Sequence, residues 1–234
     1  MSVTRGFVAR LVAEFAIIVI GVLVALAVDA WVDDRSDRQL EGQILSELHA
    51  ELDSLRFHAN RVIEFDERVT ESLERLISGL SGSELPPSDS LTEWYLDGIR
   101  SPLYRPSAAI ADALFATGDI ALVRDTETRR LITTHYQRVR QVSSLFDIFD
   151  EAWLDGVAVM NQRVHGASAS GTINWALIAS RGSLRGDLVT QRTIAENRAV
   201  YVQYLVKSVD PLVAALERAL PKSRMDRTAQ PDER

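Results

Sequence analysis

The sequence EFAIIVIGVLVALAVDAWV, residues 14–32, is an almost continuous apolar run that leads directly into charged sequence. Its uninterrupted part, residues 15–28, covers about 21 Å as a helix, which is shorter than a bilayer core of about 30 Å. A helix over residues 11–32 covers about 33 Å. It places Glu14 and Asp29 near the two interfaces, where a carboxylate is less unfavourable than at the centre. The run therefore predicts a transmembrane helix over residues 11–32.

Two other interpretations of this run remain open. Arg5 and Arg10 could be the basic region of a cleaved signal peptide, with its cleavage site at residues 25–27. The length alone also permits a buried core helix, although the run is apolar on nearly all sides, which a globular helix does not need. Glu14 interrupts the signal-peptide pattern, and helix-forming polar sequence follows Trp31 directly. These features favour a permanent anchor.

The flanking charges predict the orientation of the span. Arg5 and Arg10 precede it without any acidic residue, whereas Arg35 and Arg38 follow it among four aspartates. Basic residues favour the cytoplasmic side, and their numbers on the two sides are nearly even. We expect residues 1–10 in the cytoplasm and a single-pass protein of the inner membrane, with its C-terminal domain in the periplasm.

The composition limits the class of the remaining chain. The formal net charge of −7 argues against binding to nucleic acid, which requires basic surfaces to displace counterions. The absence of cysteine excludes disulfides and cysteine metal sites, and fits either compartment. The length after the run is sufficient for one domain with a sizeable core.

Helical periodicity continues directly from the span. Along residues 33–78 apolar side chains recur at steps of three or four, which places one apolar stripe on a long helix. The stripe is wider than a heptad seam, so it favours a multi-helix bundle over a free coiled coil. Glycine, proline and serine cluster in residues 79–90 and predict a loop.

The later helices are separated by similar breaks. They are predicted over residues 91–99, 107–116, 126–164 and 187–220. Asp125 is the expected N-cap of the second long helix, residues 166–171 are a small loop, and Pro211 should kink or split the last helix. The fold class is all-α: an N-terminal transmembrane helix that continues into a long helix of an up-down bundle of about four helices. The bundle occupies residues 33–220, and residues 221–234 form a disordered tail.

Two segments carry a resemblance to a known family. Residues 14–31 and 107–137 are similar to a family of bacterial single-span proteins of uncharacterised function. This chain has Asp29-Ala30 where the family has Asn-Asn, Thr117-Gly118 in place of Ser-Gly, and His135-Tyr136 in place of paired tyrosines. The resemblance implies a single-span helical architecture, and it supplies no activity.

The four histidines do not form a recognisable metal motif. His49 and His58 are nine residues apart, on opposite sides of one helix, and His135 and His165 lie on another. The sequence contains no HExxH, Walker, GxGxxG or GxSxG motif. Each histidine is interpreted as solvent-facing, and we predict no catalytic, cofactor-binding or metal-binding residue.

An acidic run on the second long helix is the strongest candidate for chemistry. Asp147, Glu151 and Asp155 recur at steps of four on one face, with Asp150 beside them. Such carboxylates could bind a divalent cation or raise one another's pKa. A solvated acidic face is the simpler interpretation. An enzyme site assembled from this face and His135 is therefore the alternative hypothesis for function.

A second candidate lies on the third long helix. Tyr201 and Tyr204, with Arg192 and Arg198 nearby, could line a small anionic pocket. Core packing of the tyrosines with surface arginines is the simpler interpretation.

The predicted span also offers an interaction surface. Gly21 and Ala25 are four residues apart, a spacing that lets two helices approach closely, and Asp29 lies on the same line. A homodimer through Gly21 and Ala25 is therefore a possible assembly. Taken together, the sequence predicts a membrane-anchored, non-catalytic helical module for partner interaction or sensing, with the lipid bilayer and a protein as partners and no nucleic acid.

Overall fold

The computed structural model describes residues 3–102, 104–166, 168–169 and 172–220, with side chains from residue 14 onward other than those of 168 and 169. Helix α1, Val3–Ser81, runs without a break through the apolar run and into the bundle. No proline interrupts it, because the first proline of the chain is Pro86. The predicted continuity of the apolar helix with the first long helix is confirmed. The predicted tail, residues 221–234, lies outside the described residues.

The rest of the described chain is also helical. A 3₁₀ turn, Asp119–Leu122, and a two-stranded antiparallel hairpin, β1 Ser168–Ala169 with β2 Thr172–Ile173, interrupt the helices. The helices are α2 Ser88–Gly98, α3 Ala109–Thr117, α4 Thr126–Gly166, α5 Trp175–Arg181, α6 Arg185–Lys207 and α7 Val209–Ala219. The all-α fold is confirmed. The expectation of a small loop over residues 166–171 was wrong at Ser168–Ala169, because strands of two residues are too short to leave an alternating pattern. Residues 167, 170 and 171 lie outside the described residues.

Local chemistry explains where α4 begins and where α3 ends. The Asp125 carboxylate accepts hydrogen bonds from the Thr128 backbone N–H at 2.7 Å and from its hydroxyl at 2.6 Å. These bonds lower the pKa of the Asp125 carboxyl. Gly118 ends α3 in the left-handed region at φ 82°, a conformation that suits glycine. The predicted N-cap is confirmed.

The last predicted helix is divided into α6 and α7. The break lies at Ser208, so Pro211 falls in the first turn of α7. A missing backbone N–H is least unfavourable in a first turn, because those donors have no partner within the helix. The predicted split is confirmed, three residues before the proline.

Two apolar cores are stacked along the bundle. The proximal core, nearer the apolar segment, includes Leu48, Leu52, Leu114, Tyr136, Phe146, Leu205, Leu212 and Leu216. The distal core includes Leu73, Leu76, Leu91, Tyr95, Trp153, Met160, Trp175, Ile178 and Leu188. Helices α1 and α4 therefore run from the proximal to the distal core, whereas α2 with α3, and α6 with α7, return. This alternation is the predicted up-down bundle.

Within the part of the chain that the structure describes, two helical stretches are long and apolar enough to cross a membrane. The first lies near the N-terminus, with a mean hydropathy of 2.6 in its most apolar window, and none of that window is buried. The second, Arg185–Ala219, reaches 1.2, and half of its window is buried. The second stretch supplies core residues of the bundle. The first, by contrast, exposes every side chain from Glu14 to Val32.

Candidate functional site

A layer of polar side chains crosses the bundle between the two cores. We call Asp66 of α1, Ser101 of the α2–α3 connection, Asp150 of α4 and Arg198 of α6 the polar layer. In each segment the polar residue falls between a member of the proximal core and a member of the distal core. Asp66 and Arg198 have no exposed surface. The layer therefore lies at one level of the bundle and joins α1, the α2–α3 connection, α4 and α6.

Arg198 is the centre of the polar layer. Its Nε lies 3.2 Å from Oδ1 and 3.0 Å from Oδ2 of Asp66, and Oδ1 also accepts from Nη2. Its Nη1 donates to the Ser101 hydroxyl at 2.9 Å, and its Cζ lies 5.0 Å from the Trp153 ring centroid. Burial raises the pKa of the Asp66 carboxyl, and the hydrogen bonds from Arg198 counteract part of that rise. A planar guanidinium suits this site because it can serve several partners at once.

The acidic run of α4 is divided between the polar layer and the surface. Asp150 lies 2.5 Å from Nη1 of Arg105 and 4.0 Å from Nη1 of Arg198, and Asp147 lies 3.1 Å from Nη2 of Arg105. Glu151 is exposed to solvent. Among the residues that the structure describes, no three histidine or acidic side chains are grouped as metal ligands would be.

The surface position predicted for Arg198 was wrong. Its partner Asp66 occupies a place in the apolar stripe of α1, three residues before Val69 and four after Val62. A carboxylate within a core stripe requires a buried cation, because an unpaired buried charge is strongly unfavourable. That spacing was the available signal, and the sequence reasoning missed it.

His135 is buried in the proximal core, so its predicted solvent-facing position was wrong. The position shares the inner face of α4 with Ile132, Val139 and Val142. Ser208 donates its hydroxyl proton to the Leu205 carbonyl at 2.7 Å, so His135 Nδ1 donates to Ser208 Oγ at 2.8 Å.

The other ring nitrogen of His135, Nε2, is buried without a hydrogen bond in the described structure. Burial, and to a lesser degree the charge of Arg138, lower the pKa of His135 to about 4. The ring is therefore neutral at physiological pH.

The structure does not bring His135 together with the acidic run. Asp147 is twelve residues further along α4, about 18 Å at the helical rise. The remaining histidines are separate: His49 lies 3.3 Å from Asp53, and His58 and His165 are exposed.

The candidate anionic pocket on α6 is not formed by the residues proposed for it. Tyr201 packs its ring 5.7 Å from Phe149, and Tyr204 lies 5.3 Å from the guanidinium of Arg138. Arg192 lies near Glu74 and Glu196, and Arg198 points into the polar layer. The two tyrosines are partly exposed, and in the described structure neither is paired with Arg192 or Arg198.

A groove lies where the apolar segment meets the bundle. Its volume is about 480 Å³, and we call it the proximal groove. Its lining includes Trp31, Arg35, Arg38 and Gly42 on α1 and Ala219 at the end of α7.

Arg124 fastens one wall of the proximal groove. Its guanidinium lies 2.5 Å from Asp34, and its backbone N–H donates to Glu41 at 2.7 Å. Asp34 also pairs with Arg38 at 2.7 Å. These cations, Arg124 first, lower the pKa of the Asp34 carboxyl.

The candidate dimer surface lies on the exposed segment of α1. Gly21 and Ala25 are both exposed, and a Cβ built on Gly21 has no heavy atom within 4 Å. The described chain therefore leaves this face of α1 uncovered.

No protein-family model, curated protein or solved structure matches the chain. The resemblance to a family of bacterial single-span proteins therefore stays a prediction.

Proposed function

We propose that this protein is a membrane-anchored, non-catalytic helical module that binds a protein partner on the periplasmic side of the inner membrane. The observation that carries the proposal is the form of α1. Its N-terminal part exposes a continuous apolar surface of a length suited to a bilayer, and its C-terminal part is a core helix of the bundle. Anchor and bundle are thus one rigid element.

The use of the polar side chains favours binding over catalysis. Asp66, Arg198 and Ser101 satisfy one another inside the bundle, and His135 is bonded to Ser208. The Tyr136 hydroxyl donates a hydrogen bond of 2.5 Å to the Glu51 carboxylate, and this bond joins α4 to α1. These groups stabilise the packing of helices and do not face an open cleft together.

An enzyme remains the alternative hypothesis, with a site assembled from the acidic face of α4 and His135. The spacing along α4 argues against it, because a catalytic pair must lie within hydrogen-bond reach or one water molecule of a shared atom. Replacement of His135 by Gln together with Asp147 by Asn tests it. Loss of a measured activity without loss of fold would favour the enzyme.

Crosslinking in the native membrane tests the binding proposal. A photo-reactive residue at Val200 samples an exposed apolar position of α6, and one at the exposed Thr190, about 15 Å away along the same helix, is the matched control. We expect one protein to be captured from Val200 or from another exposed apolar position such as Ile148 of α4, and not from every position. Indiscriminate capture at all positions, or none at any, contradicts the proposal.

Orientation and assembly need separate tests. A reporter fused at the C-terminus should be active only as a periplasmic reporter, and cytoplasmic activity would reverse the proposed topology. For the homodimer, Gly21→Leu should abolish self-association in the membrane, because a bulky side chain keeps the two backbones apart. Ala27→Leu, which places the same bulky side chain on the opposite face of the span, is the control.

A further inference from the structure

We propose that the proximal groove binds the phosphate of a phospholipid headgroup, with Arg35 as the principal ligand. The inference rests on the proposed function, since the groove faces a bilayer only if the apolar segment of α1 spans it. It adds a ligand class and a ligand-binding residue to that function.

The groove lies at the level of the headgroups if α1 spans the bilayer. Trp31 lies at the outer end of the predicted span, and Arg35 and Arg38 follow at one and two helical turns. Headgroup phosphates occupy this level of a bilayer, and tryptophan rings concentrate there. The C-terminal end of α7 closes the other side of the groove at Ala219.

The charges of the groove leave Arg35 available to an anion. The acidic groups of the groove wall already have cationic partners, because Asp34 pairs with Arg38 and Arg124, and Glu41 accepts from Arg124. Arg35, unlike Arg38 and Arg124, is not engaged by these acids. Its guanidinium lies 5.9 Å from the Trp31 ring centroid, and the described residues give it no carboxylate partner.

The size and shape of the groove suit a lipid headgroup. The groove volume of about 480 Å³ lies within the range of small-molecule sites. Gly42 has no side chain to fill the groove, and Leu45 supplies an apolar floor. A guanidinium can donate two parallel hydrogen bonds to a phosphodiester, while the indole ring beneath it packs against the glycerol and upper acyl carbons.

Native mass spectrometry of the full-length chain in detergent tests the site. The added ligands are dioleoyl phosphatidylglycerol, dioleoylglycerol, which lacks the phosphate, and inorganic phosphate at the same concentration. The variant is Arg35→Gln. The matched control is Arg61→Gln, since Arg61 is also an α1 arginine that lies over an aromatic ring four residues earlier, 5.8 Å from Phe57.

We expect the wild type and Arg61→Gln to retain one phosphatidylglycerol and to bind dioleoylglycerol more weakly. Arg35→Gln should lower the affinity for the phospholipid about tenfold, the effect of losing a charge-assisted pair. Equal retention by Arg35→Gln and wild type, or equal binding of dioleoylglycerol, overturns the site. Binding of inorganic phosphate as tight as that of the lipid overturns the lipid assignment.

Membrane fractionation of cells that express the same variants distinguishes failure of this proposal from failure of the proposed function on which it rests. Wild type and Arg35→Gln should both sediment with membranes and resist alkaline extraction. A wild type that stays soluble contradicts the anchor itself. If both proteins sediment with membranes but Arg35→Gln retains as much phosphatidylglycerol as the wild type, only the headgroup site is contradicted.

Discussion

Arg198 illustrates how one residue can join four segments of a chain. It has a carboxylate and a hydroxyl neighbour within the polar layer, and an aromatic neighbour, Trp153, in the distal core. A buried charge pair contributes little net stability compared with well-packed apolar residues, but removal of one partner leaves the other charge uncompensated. The polar layer therefore fixes the register of the helices, because any sliding of α6 along α1 separates Arg198 from Asp66.

The first prediction concerns this pair. Arg198→Met should lower the free energy of unfolding by about 3–5 kcal/mol, because the Asp66 carboxylate stays buried without its cation. The double variant Asp66→Leu with Arg198→Met should recover part of that loss. Chemical denaturation followed by circular dichroism measures both.

The control for that prediction is another arginine of the same helix. Arg192 is partly exposed and lies 3.2 Å from Glu196 and 3.7 Å from Glu74, two exposed carboxylates. Arg192→Met should change stability by about 1 kcal/mol or less. If Arg198→Met costs no more than Arg192→Met, the polar layer is not a determinant of the fold.

The second prediction concerns His135 and pH. Its pKa is about 4 in the folded chain, against an ordinary value of 6.5. Between these values the unfolded chain binds a proton at His135 that the folded chain does not. The free energy of unfolding therefore has its full value, as far as His135 is concerned, above pH 6.5, and it decreases as the pH falls toward 4. The difference corresponds to about 3 kcal/mol at most.

The test compares wild type with His135→Gln, whose amide can still donate to Ser208. Because glutamine does not titrate, the variant should lose less stability over that pH interval. Denaturation midpoints at several pH values give the two profiles. Parallel profiles would show that His135 is not the titrating group.

At the scale of the elements, the sequence predicts what depends on local periodicity. The stripe of α1 and the inner face of α4 follow directly from steps of three and four, and Asp125 and Pro211 mark boundaries through local chemistry. The polar layer could not be predicted in the same way, because its members are distant in sequence and meet only after the helices pack. The partners of Arg198 are distant for the same reason, and only the place of Asp66 in the apolar stripe of α1 signalled a buried cation. The position of His135 was different, because its spacing from Ile132, Val139 and Val142 already placed it on the inner face of α4.

The third prediction concerns the packing of α4 against α6 at Gly156. A Cβ built on Gly156 would lie 1.7 Å from the Nε2 atom of Gln191 and 2.9 Å from its Cδ. Gln191 is buried and donates to the Trp153 carbonyl at 3.3 Å, so it cannot simply move into solvent. Gly156→Ala should destabilise the bundle by about 1–3 kcal/mol, despite the better helix propensity of alanine.

Gly186 provides the matched control on α6. A Cβ there meets no heavy atom within 4 Å, so Gly186→Ala should leave stability unchanged or raise it by up to about 1 kcal/mol. Thermal unfolding of the two variants under the same conditions makes the comparison. Equal effects of the two substitutions would contradict close packing at Gly156.

At the scale of the whole molecule, α1 has two parts with opposite relations to the rest of the chain. From Glu14 to Val32 all side chains are exposed, and burial in the core begins only with Ile44 and Leu45. The Asp34–Arg124 pair joins α1 to the bundle just after this segment. Within the described residues, the apolar segment is therefore attached to the bundle by helix continuity and not by burial of its side chains.

The fourth prediction follows from this division. A chain that starts at Asp33 should keep the free energy of unfolding of the full chain within about 0.5 kcal/mol, because the removed segment buries no described side chain against the bundle. It should also leave the membrane fraction. A chain that starts at Ser46 removes Ile44 and Leu45 from the proximal core and should lose several kcal/mol. If the chain from Asp33 instead unfolds or aggregates while the full chain does not, the apolar run is a core helix, and both the anchor and the headgroup site are wrong.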